Sequence, residues 1–162
     1  MPSEVTKKIA SALKTHSLLF LGAITILVVG AARIWNAPAC SYPYKNDRQL
    51  ALPMQTVKLE VADTSAARTL GLSGRPCMPY DQGMLFLFPQ PGNYGFWMKD
   101  TKFPLDMVWL NQSKQVVYLK TDAQPSSYPK TYTNSQPASY VLELNAGSVA
   151  KQAISLGKTL DF

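Results

Sequence analysis

The stretch MQTVKLEVA, Met54 to Ala62, indicates how the chain folds. Apolar and polar residues alternate along it, and the apolar positions are Val57, Leu59 and Val61. This period of two is typical of a half-buried β-strand, because successive side chains of a strand point to opposite faces of the sheet. We therefore predict that a globular domain begins with a strand near Met54.

Short apolar or alternating segments recur along the rest of the chain. They predict strands over GMLFLF (83–88), FWM (96–98), LDMVWL (105–110), KQVVYLKT (114–121), SYVLELNA (139–146) and KTLDF (158–162). Short helices are indicated over DTSAARTLGL (63–72) and GSVAKQAISL (147–156), with Gly71 and Gly157 as their stops. Because strands and helices do not alternate, we predict a β-dominated α+β fold: a compact curled antiparallel sheet or small barrel with two short helices.

An apolar run precedes this domain. SLLFLGAITILVVGAA (17–32) contains no charged residue and no proline, and its sixteen residues rise about 24 Å as a helix. A bilayer core is about 30 Å thick, so the span must extend slightly further. Three lysines lie before the run, Lys7, Lys8 and Lys14. We predict a basic cytoplasmic N-terminus (1–16) and an N-terminal membrane helix or signal segment (17–35), with the rest of the chain extracytoplasmic.

The triplet Ala37-Pro38-Ala39 leaves the fate of this segment open. Its small-x-small spacing fits a signal cleavage site, so a single-pass anchor competes with secretion after cleavage near Ala39. Arg33 stands between the apolar run and the triplet, which favours a retained anchor. Residues 36–53 are rich in proline and polar residues and are interpreted as a linker. Residues 54–162 form the predicted globular domain, which we expect to be monomeric.

The charge of the chain argues against nucleic-acid binding. The net charge is +6, but residues 40–162 hold twelve basic and nine acidic residues, which leaves an excess of only three. These lysines and arginines are scattered singly, with no run that follows a phosphate backbone. We therefore predict no nucleic-acid partner for the domain.

The histidine and cysteine content limits the possible chemistry. His16 is the single histidine and precedes the membrane segment, so Ser-His-Asp and Cys-His sites and histidine-ligated metals are not available to the domain. The acidic residues do not show the regular spacing of a calcium-binding loop. We therefore predict neither a metal nor a cofactor. Cys40 and Cys77 are the only cysteines. They can form a disulfide, but Cys40 lies in an irregular stretch, and the sequence favours two unpaired thiols.

The segment FWMKDTKFPLDMVWL (96–110) carries charges among large apolar residues. Asp106 lies within an apolar run, so we predict that its carboxylate is partly buried and paired with a cation at the mouth of a shallow pocket. GLSGRP (71–76) is either a helix cap followed by a turn or a loop that cradles an anion. The candidate ligand-binding residues are Arg68, Arg75, Trp97, Lys99 and Asp106, and Lys99, Arg75 or Arg68 is the expected partner of Asp106.

Three motifs together resemble a known family. They are LEVADTSAARTLGLSGRPCMPYDQGMLFLF (59–88), the segment 96–110 quoted above, and YVLELNAGSVAKQAISLGKTL (140–160). In order and spacing they resemble the domain of unknown function family 192 over residues 54–162. The resemblance implies a small β-rich domain, frequently outside the cytoplasm, and implies no reaction. The chain departs from the family pattern at Ala67, Ser73 and Asp100, where members often carry an acid, a methionine and an asparagine.

These observations favour a membrane-tethered extracytoplasmic module that binds a ligand or has a structural role in the cell envelope. Its predicted partners are the membrane, through the N-terminal helix, and an envelope glycan, a peptide or a small anionic ligand. One alternative is an envelope-acting hydrolase that uses Asp106 and Lys99. Another is a protein-interaction subunit. The sequence leaves open whether the chain is an enzyme, because it contains no catalytic constellation specific enough to decide.

Overall fold

The structure is a computed structural model that describes residues 40–162 of the 162-residue chain. The predicted N-terminal segment, membrane helix and first residues of the linker lie outside the described residues. Between Cys40 and Phe162 no helix is long and apolar enough to cross a membrane.

Eight strands and two short helices make up the described part of the chain. A six-stranded sheet has the order β1-β2-β3-β8-β5-β6, and β4 and β7 form a separate antiparallel pair. The bounds are β1 (Arg48–Leu52), β2 (Gln55–Ala62), α1 (Ser65–Leu70), β3 (Gln82–Gly92), β4 (Gly95–Trp97), β5 (Leu105–Leu110), β6 (Val116–Ala123), a single 3-10 turn (Pro125–Ser127), β7 (Thr131–Thr133), β8 (Ala138–Asn145) and α2 (Ser148–Lys151).

The β-dominated α+β fold with a curled sheet and two short helices is confirmed. The prediction of an antiparallel sheet is wrong for one pair, because β2 and β3 run parallel, with Glu60 opposite Met84. Parallel neighbours need a long crossover, whereas antiparallel neighbours need only a short turn. The chain between β2 and β3, which contains α1, provides that crossover.

The sheet also begins earlier than the alternating pattern predicts. Strand β1 lies within residues 36–53, the predicted linker, and pairs antiparallel with β2, with Leu50 opposite Val57. Leu50 is the one fully buried residue of β1. An edge strand with a single buried position gives no periodic signal, so its composition resembles that of a linker.

The C-terminal elements are shorter than predicted. Helix α2 ends at Lys151 rather than near residue 156, and the predicted strand 158–162 makes a single bridge, between Gln115 and Thr159. The chain there still follows the start of β6, because the amide of Leu160 donates to the carbonyl of Lys114 at 3.1 Å. These contacts hold the C-terminal segment against the sheet without a regular ladder.

A disulfide joins Cys40 to Cys77, with 5.7 Å between the two Cα atoms. The expectation of two unpaired thiols is therefore wrong. Its basis was that Cys40 lies in an irregular stretch, but a loop without regular structure can still pack closely against a domain. The phenol of Tyr44 donates to the carbonyl of Cys77 at 2.8 Å, which fixes the same segment a second time.

The core has two layers, one on each face of the sheet. Strand alternation divides β5 between them: Met107 and Trp109 enter one layer, and Val108 and Leu110 enter the other. Strand β8 divides in the same way, so Val141 belongs to the first layer. Residues two apart on a strand share a face, and Glu143 therefore points into the layer that contains Val141.

Candidate ligand-binding cavity

A cavity of about 360 Å³ opens between helix α1 with its following turn and strand β4. This volume is in the range that accommodates a small organic ligand. The wall on the helix side and the wall on the strand side converge on β3 and β8. The cavity is lined by Ser65, Arg68, Thr69, Leu70, Gly71, Leu72, Ser73, Phe86, Phe88, Tyr94, Gly95, Phe96, Trp97, Thr101 and Glu143.

The wall on the helix side is set by the two ends of α1. Thr64 caps the helix, and its hydroxyl accepts a hydrogen bond from the amide of Ala67 at 3.1 Å. Gly71 ends the helix with a positive φ of 51°, a conformation that glycine adopts without the penalty of a β-carbon. An added Cβ at Gly71 would lie 3.5 Å from the ring of Phe86, so the turn also runs close to the sheet.

Aromatic rings form the opposite wall. Phe96 packs edge-on against Phe86, with 4.8 Å between ring centroids, and Phe88 stacks on Tyr94. Trp97 lies at the rim, half exposed, with its ring centroid 6.4 Å from that of Tyr128. Edge-to-face rings hold one another in fixed orientations, so this wall is preformed.

The two walls are joined by hydrogen bonds between their loops. The hydroxyl of Ser73 donates to the carbonyl of Lys99 at 2.9 Å, and the amide of Gly74 donates to the carbonyl of Asp100 at 2.9 Å. Asp100 has a positive φ of 55°, a region that aspartate and asparagine tolerate better than most residues. The turn after α1 therefore keeps a fixed position relative to the turn after β4.

Glu143 is the acidic residue that lines this cavity. It lies on β8 near the middle of the sheet, with Met84 of β3 on one side and Met107 of β5 on the other. Its exposed fraction is 5%, and among residues 40–162 no group donates a hydrogen bond to its carboxyl. A carboxyl between two methionines loses most of its hydration without gaining a protein partner.

The electrostatic result is a raised pKa. Burial raises the pKa of Glu143 to about 8, and the positive charge of Arg75 opposes this rise only in part. The cause is the unfavourable transfer of a charged carboxylate from water into apolar surroundings. Near neutral pH the carboxyl therefore holds its proton in most molecules and can donate a hydrogen bond into the cavity.

Comparison with known proteins identifies the family. The profile of domain of unknown function family 192 (DUF192), described as "Uncharacterized ACR", matches residues 48–162. The chain belongs to the DUF192 family. The match begins at the first residue of β1, so the DUF192 domain includes the edge strand that the alternating pattern does not show.

Two solved structures resemble this DUF192 domain. A Sinorhizobium meliloti 1021 protein, provisionally described as a transcription regulator, is 33% identical, with a TM-score of 0.64 over 70% of this chain and 89% of that one. A protein of unknown function from Novosphingobium aromaticivorans DSM 12444 is 28% identical, with a TM-score of 0.65 over 70% of this chain and 82% of that one. No curated protein matches the chain.

Two of the five predicted site residues of the DUF192 domain line the cavity, Arg68 and Trp97. The guanidinium of Arg68 lies 5.4 Å from the ring centroid of Phe88. Its Nη1 donates to the carbonyls of Asp63 at 2.6 Å and Leu87 at 2.8 Å. These contacts fix Arg68 to the cavity wall, and the arginine adds a positive charge there.

Arg75 lies beside the cavity and is held in a partly buried ion pair. Its two terminal nitrogens donate to the two carboxylate oxygens of Glu60 at 2.9 Å and 2.8 Å. The guanidinium also lies 4.6 Å from the ring centroid of Tyr44. Hydrogen bonding from Arg75 is the main cause that lowers the pKa of Glu60.

The predicted ion pair of Asp106 does not form among the described residues. Asp106 is fully buried, which exceeds the predicted partial burial, and its carboxylate accepts backbone hydrogen bonds from Asp122 at 2.9 Å and from Val149 at 2.8 Å. Backbone amides replace the expected cation, because the carboxylate points toward the start of α2, where free amides are available. Lys99 is exposed and is fixed by its backbone carbonyl.

Glu143 is the residue that sequence reasoning missed. The signal was present in SYVLELNA, because an acid with leucine on both sides in a strand core is unusual. The sequence does not show which strands lie beside β8, and it is their methionines, Met84 and Met107, that flank the carboxyl. No cluster of potential metal ligands occurs between residues 40 and 162.

Proposed function

We propose that this chain is a membrane-tethered extracytoplasmic module whose DUF192 domain binds a small organic ligand in the cavity between α1 and β4. One observation carries the binding proposal: Glu143, a residue with an exposed fraction of 5%, lines an aromatic cavity, and its carboxyl has no hydrogen-bond donor within residues 40–162. Burial of such a group opposes folding, and the charge of Arg75 compensates this cost only in part. A ligand that bonds to Glu143 supplies the missing partner.

The extracytoplasmic location has separate support. A disulfide between Cys40 and Cys77 persists in an oxidising environment and is rare in the cytosol. The lysines before the apolar run favour the same orientation. Protease treatment of intact cells with a permeabilised outer layer tests the topology. Cleavage within residues 40–162 before the inner membrane is breached supports the proposal, and protection until that point contradicts it.

Hydrolysis through Asp106 and Lys99 is not proposed. Both carboxylate oxygens of Asp106 are bonded to backbone amides, and the residue is fully buried on the face that carries α2. A glycosidase needs two carboxyl groups that flank the substrate, whereas the cavity is lined by Glu143 as its only acid among the described residues. The geometry therefore favours binding.

Methionine methyl groups provide a direct readout of binding. The chain has six methionines, and Met84 and Met107 flank Glu143, so their methyl resonances report on the floor of the cavity. The full chain in lipid nanodiscs, labelled at methionine methyls, is titrated with small aromatic compounds. We expect saturable shifts at Met84 and Met107, with smaller shifts at Met54, which is exposed in the turn between β1 and β2.

A cavity-filling variant is the control for this experiment. Thr69→Trp places a large ring on the wall formed by α1, and the shifts should disappear. Thr121→Trp, at an exposed position of β6 that does not line the cavity, should leave them unchanged. Saturable binding that survives Thr69→Trp would place the ligand elsewhere and contradict the proposal.

A further inference from the structure

We infer that the cavity selects neutral or anionic ring compounds whose carbonyl or carboxylate oxygen accepts a hydrogen bond from the protonated carboxyl of Glu143, and that it excludes organic cations. This inference rests on the proposed function, and it names the ligand class of the same cavity. It follows from the charges of the lining residues, the surroundings of Glu143 and the rings of the wall.

The lining residues determine the sign of charge that the cavity accepts. Arg68 and Glu143 are the acidic or basic side chains among them, and Tyr94 is the further titratable group. When Glu143 holds its proton, Arg68 supplies the remaining charge, which is positive. An aromatic wall alone would also suit a quaternary ammonium group. The positive charge of Arg68, already placed against Phe88, disfavours such a cation.

The groups around Glu143 favour its neutral form. Strands β3 and β5 present Met84 and Met107 to it, and neither side chain carries a charge. Glu60 lies one strand further, but both of its carboxylate oxygens are bonded to Arg75. Lys120 of β6 lies opposite Met107, one strand further from Glu143, and its Nζ is 5.2 Å from the ring centroid of Tyr132.

Two neighbouring charges complete this environment. Arg75 is the charged residue whose field reaches Glu143, and it favours the ionised form, but burial outweighs it. Asp106, next to Met107 on β5, is bonded to the amides of Asp122 and Val149 and so belongs to the other face. A protonated carboxyl has one O–H to donate, and an oxygen acceptor on the ligand is its complement.

The body of the ligand must match the rest of the cavity. Phe86, Phe88, Phe96 and Trp97 surround the space between the rim and Glu143. Rings pack against such a wall with favourable offset or edge-on geometry. An acceptor oxygen at one end of a ring is therefore the simplest group that satisfies both the wall and the floor.

Three probes with the same ring test the inference. Acetophenone is neutral and only accepts hydrogen bonds, benzoate is anionic and benzyltrimethylammonium is cationic, and their charges stay fixed between about pH 6 and about pH 9, on either side of the Glu143 pKa of about 8. Affinities are measured on the full chain in nanodiscs from the methyl shifts of Met84 and Met107. Near pH 6 we expect acetophenone and benzoate to bind and the cation to bind at least about tenfold more weakly.

The pH dependence separates hydrogen bonding from simple ring burial. As Glu143 ionises, it loses the O–H donor, so acetophenone, which has only an acceptor oxygen, should bind about tenfold more weakly near pH 9, and benzoate should weaken further. Glu143→Gln keeps a donor that does not ionise, and acetophenone affinity should then be the same at both pH values. Glu143→Met removes the donor and should weaken binding at both.

The results distinguish the two levels of the proposal. If the cation binds most tightly and gains affinity as Glu143 ionises, the inference is overturned while the binding function stands. Equal acetophenone affinity at both pH values in the unmodified chain also overturns it. If none of the three probes shifts Met84 or Met107, both the inference and the proposed function fail.

Discussion

Val149 at the start of helix α2 donates its backbone amide to Oδ2 of Asp106, at 2.8 Å, across the end of the sheet. The other carboxylate oxygen accepts from the amide of Asp122 at 2.9 Å. Asp106 thus joins three elements that are distant in sequence: β5, the end of β6 and α2. Its carboxylate takes the place of water as the hydrogen-bond acceptor for two backbone amides that have no partner within the strand or the helix.

We expect Asp106→Ala to destabilise the domain by about 2–5 kcal/mol, because two amides lose a charged acceptor in a buried site. Asp100→Asn is the matched control, since Asp100 is exposed and its positive φ suits asparagine. That change should alter the free energy of unfolding by less than about 0.5 kcal/mol. Urea denaturation measures both, and similar losses in the two variants would refute this role of Asp106.

Glu143 should make stability decrease as pH rises. Its pKa is about 8 in the folded protein against an ordinary value of 4.5, so the folded state binds more protons than the unfolded state between these values. Stability is therefore greatest below about pH 4.5 for this group and is lost as pH rises toward 8. We expect Glu143→Gln to remove this slope and to stabilise the protein near pH 8 by on the order of a few kcal/mol. Denaturation series at acidic and alkaline pH provide the measurement, and an unchanged slope would show that Glu143 is solvated.

Breaking the pair between Arg75 and Glu60 should be strongly destabilising. Arg75→Met leaves the carboxylate of Glu60 without its bidentate partner, and we expect a loss of about 3–5 kcal/mol near neutral pH. The pKa of Glu60 is lowered in the folded state, so its contribution is present above its ordinary pKa and is lost as pH falls through the lowered value. The difference between the variant and the parent should therefore shrink in acid. A difference that grows in acid would contradict the assignment.

The same substitution should change the titration of Glu143. The charge of Arg75 lowers the pKa of Glu143 and opposes the effect of burial. Without that charge, the pKa of Glu143 should rise above about 8. The methyl resonances of Met84 and Met107, followed as a function of pH, report this titration. A midpoint that stays constant in Arg75→Met would mean that the two groups are not coupled.

The boundary of the folded unit can be tested by truncation. A fragment of residues 54–162 lacks β1 and the disulfide partner Cys40, whereas a fragment of residues 40–162 retains both. The disulfide alone, with a sequence separation of 37 residues, should contribute about 3–4 kcal/mol in the chain-entropy picture. We expect the shorter fragment to melt at a much lower temperature or without cooperativity. Cys40→Ser in the longer fragment separates the contribution of the disulfide from that of β1.

Most strands were predictable because their signal is local. In β2, β5 and β8 the pattern of apolar residues depends only on the strand itself, and the structure places strands there. Strands β1 and β7 were missed, because each has a single buried residue. The parallel pairing of β2 with β3 was also missed, since pairing direction depends on where the connecting segment packs and not on either strand.

The sequence by itself determined the class of fold, the family and at least partial burial of Asp106, since these depend on hydropathy and on ordered motifs. Only the tertiary structure decided which groups meet. Asp106 binds amides of Asp122 and Val149 instead of a cation, and Glu143 lies between Met84 and Met107 at the floor of a cavity. The physical reason is that the solvation and pKa of a carboxyl are set by neighbours on other strands, and the chain alone does not specify those neighbours until the sheet order is known.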